Sequence, residues 1–498
     1  MKKQIKYIIT LSLILITGIS CKKEYLTAVP LTTVSDATAF DTPERILGNV
    51  RSMYLAAKNG AFYGGRYIVY GDIRGEDFLN ETGNIVTGAD VWALNPPGTS
   101  TNSVINLWAQ AYYTINLCNI TIEGVAAKGP AVIGTPLSNN YLGEARYMRA
   151  LCYYSLLQYY ARPFADGAGN KPGLPLRLTA IKGSGFSDLA RSTVAQVYAQ
   201  ILADLNFAET NLPLTYTATT VTPAVELIVT RAHRNTAIAL KTRVYLSMGD
   251  YPNVILEGNK IVSAGTVPPF TATTGVPHAL QPNIATVFST FNTTESIHSF
   301  PMSASLGDNP GVQNPLGFYF VRNLTNPGSA EYSLNPAGIV SDPAFSPAGS
   351  DARRNLIFNN PNPPFKRFVN KYSLPSPFLD YTPVIRYSEV LLNLAEALAR
   401  TNAATADPRG LALVNFVRKR SDLSVTIAST TQAQLIAAIM LERRIEFLGE
   451  GLRNNDLMRL LQTIPSKGAV PAKALTDQGY IWPISATELL LNKLMTDN

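Results

Sequence analysis

The stretch from Arg231 to Ala264 constrains this chain more than any other. Along Arg231–Met248, the residues Ala237, Leu240, Val244, Tyr245 and Met248 recur at three- and four-residue spacing, which lines one face of an α-helix. Gly249-Asp250 stops that helix. Pro252 suits the first turn of a second one, where a missing N–H is no loss, and Val254, Ile255, Gly258, Ile261 and Val262 form another stripe. Neither stripe is stable against water, so together they predict a helical hairpin whose apolar faces close on each other.

The same pattern recurs along the chain. A first helix is expected at Pro43–Ala57. Asn102–Val125 carries Val104, Leu107, Trp108, Ala111, Ile115 and Cys118 on one stripe, and Asn139–Tyr160 carries Ala145, Met148, Leu151, Cys152, Leu156 and Tyr159, which predicts a further hairpin. Thr193 with Gln196 makes a capping box for a helix running to Leu212. Later, helices are expected at Val384–Arg400, from Asp407-Pro408 onward, and at Gln432–Leu448. The turn Gly249-Asp250-Tyr251 resembles that of a tetratricopeptide repeat, although Val254 stands where a small residue is usual. The expected fold class is mainly α, a tetratricopeptide-like scaffold of helical hairpins.

Two stretches break the pattern. Ala61–Ser103 is interrupted by Gly64-Gly65, Gly71, Gly75, Gly83, Gly88 and Pro96-Pro97-Gly98, and reads as a loop-rich surface. Gly265–Pro383 is dense in proline, yet it carries Phe288, Phe291, Phe300, Phe318, Tyr319, Phe320 and Tyr332, too much apolar surface for disorder. It is expected to be an ordered, loop-rich lobe with short strands, docked on the helices. The expected division is an N-terminal region 21–264 and a C-terminal region 265–498, the latter made of the lobe 265–383, helices 384–461 and a tail. With 498 residues, 46% of them hydrophobic and 15% charged, the chain can bury a large core.

The beginning is of another kind. Met1-Lys2-Lys3 and Lys6 precede an apolar run from Tyr7 to Ile16, then Thr17-Gly18-Ile19-Ser20-Cys21. The run is shorter than the ~20 residues that span a bilayer and reads as a signal peptide, residues 1–20. A cysteine just after small residues is the acceptor of bacterial lipidation, so Cys21 is expected to carry acyl chains such as palmitate and to tether the chain to a membrane. Cleavage removes Lys2, Lys3 and Lys6, which takes the formal charge from +7 to +4. No basic block interleaved with aromatics supports nucleic-acid binding. Cys118 and Cys152 read as buried free thiols rather than as a disulfide.

Catalytic constellations are weak. Glu442 and Glu446 stand one helical turn apart, the residue pair that glycoside hydrolysis uses, but Arg443, Arg444 and Arg453 beside them are expected to pair with the carboxylates and keep them ionised. His233, His278 and His298 are scattered, with neither metal spacing nor triad order. No phosphate-cradling glycine loop is present, and no cofactor is expected.

A set of stretches in fixed order covers nearly all of the mature chain: Cys21 with Tyr25-Leu26, Thr38-Ala39-Phe40, Tyr54, Glu144-Ala145-Arg146-Tyr147-Met148-Arg149-Ala150, and Tyr159-Tyr160-Ala161-Arg162-Pro163. Further on come Tyr387-Ser388-Glu389-Val390-Leu391-Leu392-Asn393-Leu394-Ala395-Glu396-Ala397 and Val414-Asn415-Phe416-Val417-Arg418-Lys419-Arg420. The last are Glu442-Arg443-Arg444-Ile445-Glu446-Phe447-Leu448-Gly449-Glu450-Gly451-Leu452-Arg453 and Tyr480-Ile481-Trp482-Pro483-Ile484. In this order they resemble the SusD/RagB family of Bacteroidetes outer-membrane nutrient-binding lipoproteins. The resemblance implies a tetratricopeptide-like scaffold with a loop-rich ligand-binding face, no enzymatic activity, and localisation at the cell outer membrane, lipid-anchored and surface-exposed. It also implies a partner, a SusC-type TonB-dependent transporter, and ligands that are mostly oligosaccharides and sometimes peptides.

The resemblance further implies that exposed aromatics on the loops after the first helix and on the middle lobe hold sugar rings. The matching loop here is Tyr63–Ser103. It offers Trp92, Tyr70, Tyr63 and Phe78 as platforms, with Trp92 first among them, and Asp72, Arg74, Glu76, Asp77 and Asn80 as hydroxyl partners. Tyr319 and Tyr332 are the corresponding candidates of the middle lobe. The leading expectation is a lipid-anchored receptor that captures oligosaccharide and passes it to its transporter. A peptide receptor of the same family, a secreted glycosidase and a pure assembly scaffold are the alternatives.

Overall fold

The structure is a computed structural model that describes residues 38–498 apart from 184, 186, 221, 306, 322–329, 403 and 404. The signal peptide and Cys21 lie outside the described residues.

The scaffold is a run of helices, most of them packed on the next along the chain. Helix α1 (Pro43–Ala57) begins where Thr42 accepts the N–H of Arg45 at 3.3 Å and Pro43 sits in the first turn. Helix α2 (Arg66–Ile73) follows a glycine-rich turn. Then come α3 (Asn106–Ile133), α4 (Thr135–Tyr160), α5 (Val194–Asn211), α6 (Arg234–Met248) and α7 (Tyr251–Ile261). The last four of the long helices named here are α8 (Tyr387–Thr401), α9 (Pro408–Ser421), α10 (Gln432–Glu446) and α11 (Arg453–Arg459). Helix α3 packs on α4, α4 on α5, α5 on α6, α6 on α7, α7 on α8, and α8 on α9 and α10. This is the mainly helical hairpin architecture that the stripes require.

Several local expectations hold in detail. Gly249 closes α6 at φ 73°, and Asp250 caps α7 by accepting the N–H of Asn253 at 3.3 Å. Thr193 and Gln196 form the capping box of α5, Thr431 and Gln434 that of α10, and Asp407 accepts the N–H of Gly410 at 2.7 Å to start α9. Several boundaries move, among them the start of α4, at Thr135 and not Asn139. The helix expected to end at Val125 runs on to Ile133 through Pro130, because Gly129 lets Ser138 of α4 pack closely and tertiary contact holds the extra turns. Val384-Ile385-Arg386 are not helical, because that stretch pairs antiparallel with Ser296–Phe300 as a strand.

The middle lobe adds short strands: β1 (Phe78–Asn80), β2 (Ser296–Phe300), β3 (Tyr332–Leu334), β4 (Ile357–Asn359), β5 (Arg367–Val369) and β6 (Thr382–Arg386). They pair antiparallel as β1 with β3, β2 with β6, and β4 with β5. Phe78 lies opposite Leu334, which fastens the loop after α2 to the lobe, and β6 leads directly into α8. One hydrophobic core runs from Phe40 to Met495 and crosses residue 264 without a break. Cys118 and Cys152 are buried within it as free thiols, their pKa values pushed up by burial.

Candidate ligand-binding site

The loop after α1 does not present its aromatics to solvent. Tyr70 is buried, its ring 5.6 Å from that of Trp482 and its hydroxyl donating to the Asn102 carbonyl at 3.1 Å. Asp72 accepts the N–H of Gly451 at 2.9 Å, and burial pushes its pKa up to about 8. Arg74 is spent on Asn454 Oδ1 at 2.8 Å and the Tyr480 carbonyl at 2.6 Å, with burial lowering it to about 10. Asp77 receives Arg444 Nε at 2.9 Å and the Ile339 N–H at 2.7 Å, and Glu76 receives Arg453. Asn80, partly buried in β1, accepts the Gly83 N–H at 2.7 Å.

Trp92 is partly buried and donates its indole N–H to the Phe78 carbonyl at 2.8 Å, with Lys467 Nζ 5.8 Å from the ring centroid. Tyr319 and Tyr332 are fully buried and stack at 6.3 Å, and Tyr332 donates to the Thr87 carbonyl at 3.0 Å. Tyr63 and Phe78 are core residues too. For Tyr63, Tyr70, Asp72, Arg74, Glu76, Asp77, Phe78, Tyr319 and Tyr332 the expectation of facing ligand is therefore corrected, since they are buried among the protein's own groups, while Trp92 and Asn80 keep partial exposure. The reason is a close backbone approach. A side chain on Gly71 would meet the Gly451 carbonyl oxygen at 2.1 Å, so the glycine pair seats the loop against the α10–α11 turn and draws its polar groups inward.

The paired carboxylates of α10 are likewise structural, though their partners are not the arginines next to them in sequence. Glu442 pairs with Arg353 at 2.6 Å and Arg418 at 2.6 Å, and Glu446 with Arg420 at 2.5 Å and Arg386 at 3.1 Å. Arg443 turns instead to Asp456, Arg444 to Asp77 and Glu76, and Arg453 to Glu76. Burial alone would raise Glu446, but Arg420, Arg386, Arg353 and Lys371 outweigh it and hold the carboxyl well below the usual carboxylate range. A carboxyl held in that state cannot serve as a general acid. His233, His278 and His298 are buried and kept neutral by burial, and among the described residues no cluster suits a metal ion.

An open, largely apolar cavity lies on the middle lobe. A cavity of about 410 Å³ is walled by the segment Asn309–Gln313, by Phe318 and by Ser376-Pro377-Phe378-Leu379. The rings of Phe318 and Phe378 stand 6.2 Å apart at 81°, forming a corner, while Asn309, Gln313 and Ser376 supply amide and hydroxyl groups at its rim. Val312 is 88% exposed beside it. Two of the lining residues, Gln313 and Phe378, hold φ near 60°, a conformation that costs a non-glycine residue about 1–2 kcal/mol and that clusters where ligands are gripped.

Lys58, at the end of α1, pairs with Asp308 and fastens the wall to the scaffold. Gly65 permits the approach, because a side chain there would strike the Asn314 carbonyl oxygen at 1.8 Å. Such a corner can take the apolar face of a sugar ring on one aromatic and give hydrogen bonds to its hydroxyls from the amides. Sequence reasoning singled out Phe318 only as apolar content of the lobe. The Pro-Phe pairs flanked by turn residues were the available signal.

Comparison with known proteins agrees with this architecture. Residues 320–498 match the model described as SusD family, and residues 32–246 match one described as starch-binding, associating with outer membrane. A SusD-like protein of Formosa agariphila is 23% identical over 100% of this chain and 99% of its own. A SusD superfamily protein of Bacteroides fragilis shares 29% identity with a TM-score of 0.78, covering 92% of this chain and 100% of that one. A structure described as a laminarin-binding SusD-like protein has a TM-score of 0.68 at 19% identity over 92% of this chain and 99% of its own. The helical scaffold and these matches along the chain establish it as a member of the SusD/RagB family, whose members are binding proteins rather than enzymes.

Proposed function

We propose that this protein is a lipid-anchored outer-membrane receptor that binds oligosaccharides in the Phe318–Phe378 cavity and passes them to a SusC-type TonB-dependent transporter. The observation that carries the reading is the cavity itself, in which an aromatic corner and amide groups are held by strained backbone on a lobe outside the helical stack. The matched model described as starch-binding and the relative described as laminarin-binding support a carbohydrate ligand.

Phe378→Ala is expected to weaken glycan binding by about 1–3 kcal/mol, the range for losing a central aromatic contact, with little change in melting temperature. Affinity electrophoresis in laminarin and in starch, with a peptide panel measured by calorimetry beside it, checks this. Binding to peptides alone would make the protein a peptide receptor. Product release from either polysaccharide by the pure protein would make it a glycosidase.

The anchor has its own test. Cys21→Ala, with the signal sequence retained, is expected to yield a folded protein that no longer fractionates with membranes, because the acyl chains are the tether. Recovery of that variant in the membrane fraction without the transporter would contradict the lipid anchor. Among the described residues no helix is long and apolar enough to cross a membrane.

A further inference from the structure

A second loop of the lobe repeats the construction that presents Phe378. At the cavity, Pro377 precedes Phe378, whose N–H donates to the Pro375 carbonyl at 2.8 Å and whose φ is 60°. In the turn between β4 and β5, Pro364 precedes Phe365, whose N–H donates to the Asn362 carbonyl at 2.8 Å and whose φ is 56°. Each Pro-Phe turn thus forces a bulky residue into the left-handed region, where glycine or asparagine would sit at lower cost.

The outcome at Phe365 has no packing rationale. Its ring is 65% exposed, so the strained backbone places the phenylalanine in water and not in a core. The turn is nevertheless rigid. The Asn360 N–H donates to the Lys366 carbonyl at 2.9 Å, Asn360 Oδ1 accepts the N–H of Asn362 at 3.0 Å, and the φ angles of Pro361, Pro363 and Pro364 are fixed by their rings. Lys366 also pairs with Glu81, which joins the turn to the tip of the first loop. That tip exposes Ile85 and Val86.

We infer that Phe365 is a second aromatic contact for glycan, separate from the cavity, which takes the apolar face of a hexose ring farther along the same polysaccharide chain while Glu81 and Lys366 meet its hydroxyls. The inference rests on the glycan-receptor reading. A flat ring held rigidly in solvent is suited to stacking on a sugar because little conformational freedom is lost on contact. The arrangement lengthens the footprint, so it acts on long chains and not on short ones.

Wild type, Phe365→Gly and Phe365→Trp are compared by affinity electrophoresis in laminarin and in amylopectin, and by calorimetry with trisaccharides of the same linkages. In the polysaccharide that retards the wild type, Phe365→Gly is expected to lower affinity about tenfold, the scale of losing one aromatic contact, and Phe365→Trp to retain it. Trisaccharide affinity is expected to be unchanged. The melting temperature of Phe365→Gly is expected to stay level or rise, because glycine relieves the left-handed φ, and this separates lost contact from lost fold. Unchanged polysaccharide affinity in Phe365→Gly, with Phe378→Ala impaired, overturns the second contact and leaves the receptor reading standing. If the variant binds glycan normally but no longer co-purifies with its transporter, the tip is a protein contact and the inference is equally overturned. Failure of the wild type to bind any polysaccharide overturns both.

Discussion

Arg386→Ala is expected to destabilise the protein by about 3–5 kcal/mol at neutral pH, the cost of removing one partner from a buried ion pair. Arg386 is buried between three carboxylates: Glu450, reached by Nε at 2.7 Å, Glu446 at 3.1 Å, and Glu295. Lys371, Arg420 and Arg353 remain to serve them once the guanidinium is gone. The pH dependence follows from the same groups. Glu446 and Glu450 are held below the ordinary value of 4.5, burial opposing the shift and Arg386 among the charges that impose it. Their contribution is therefore present above that value and is lost as pH falls through the lowered folded-state pKa. Without Arg386 the carboxyls move up and protonate earlier, so the difference between variant and wild type should shrink as pH is lowered toward 5. Guanidinium unfolding at pH 7 and pH 5 measures both effects. A loss below about 1 kcal/mol at pH 7 would mean that the network tolerates the vacancy, as surface pairs do.

Trp482→Ala is expected to cost roughly 3–5 kcal/mol, the range for emptying an aromatic site in a core. Trp482 is fully buried, its ring stacked on Tyr159 at 4.6 Å and edged by Tyr160 at 5.5 Å and Tyr70 at 5.6 Å. Its backbone N–H donates to the Tyr159 carbonyl at 2.7 Å, so the truncated residue would still be tethered while the space beside the tyrosines empties. Tyr113→Ala, at a ring 56% exposed on α3, is the control and should stay within about 0.5 kcal/mol. Thermal unfolding of the two variants decides whether the tail is part of the core or laid over it.

The helices were legible because each must bury a stripe, and a stripe is written locally. Gly249-Asp250, Thr193 with Gln196, and Asp407-Pro408 each end or begin a helix by satisfying its own terminal groups, with no help from distant residues. The ligand face was not legible for the opposite reason. Whether Tyr70, Asp72 or Arg74 faces water depends on Gly451, Asn454 and Trp482, which lie hundreds of positions away and carry no local mark of that contact. The arginines beside Glu442 and Glu446 show the same limit: neutralisation was foreseeable from composition, but Arg353, Arg418, Arg386 and Arg420 supply it from elsewhere. Phe378 and Phe365 lie in stretches without period, where the Pro-Phe pair is a sign of turn geometry and not of burial.

The seating of Trp482 against Tyr159 also sets an order of events during biogenesis. The ring that completes the packing between α2 and α4 is supplied more than three hundred positions downstream, and the guanidinium of Arg191 is satisfied by the carbonyls of Thr496 and Asp497. A chain that lacks its last residues therefore leaves open the faces of Tyr70, Tyr159 and Tyr160 that Trp482 covers, and contacts of such sequence separation form slowly. Truncation before residue 480 is therefore expected to weaken the packing of the early helices and not merely to remove a tail.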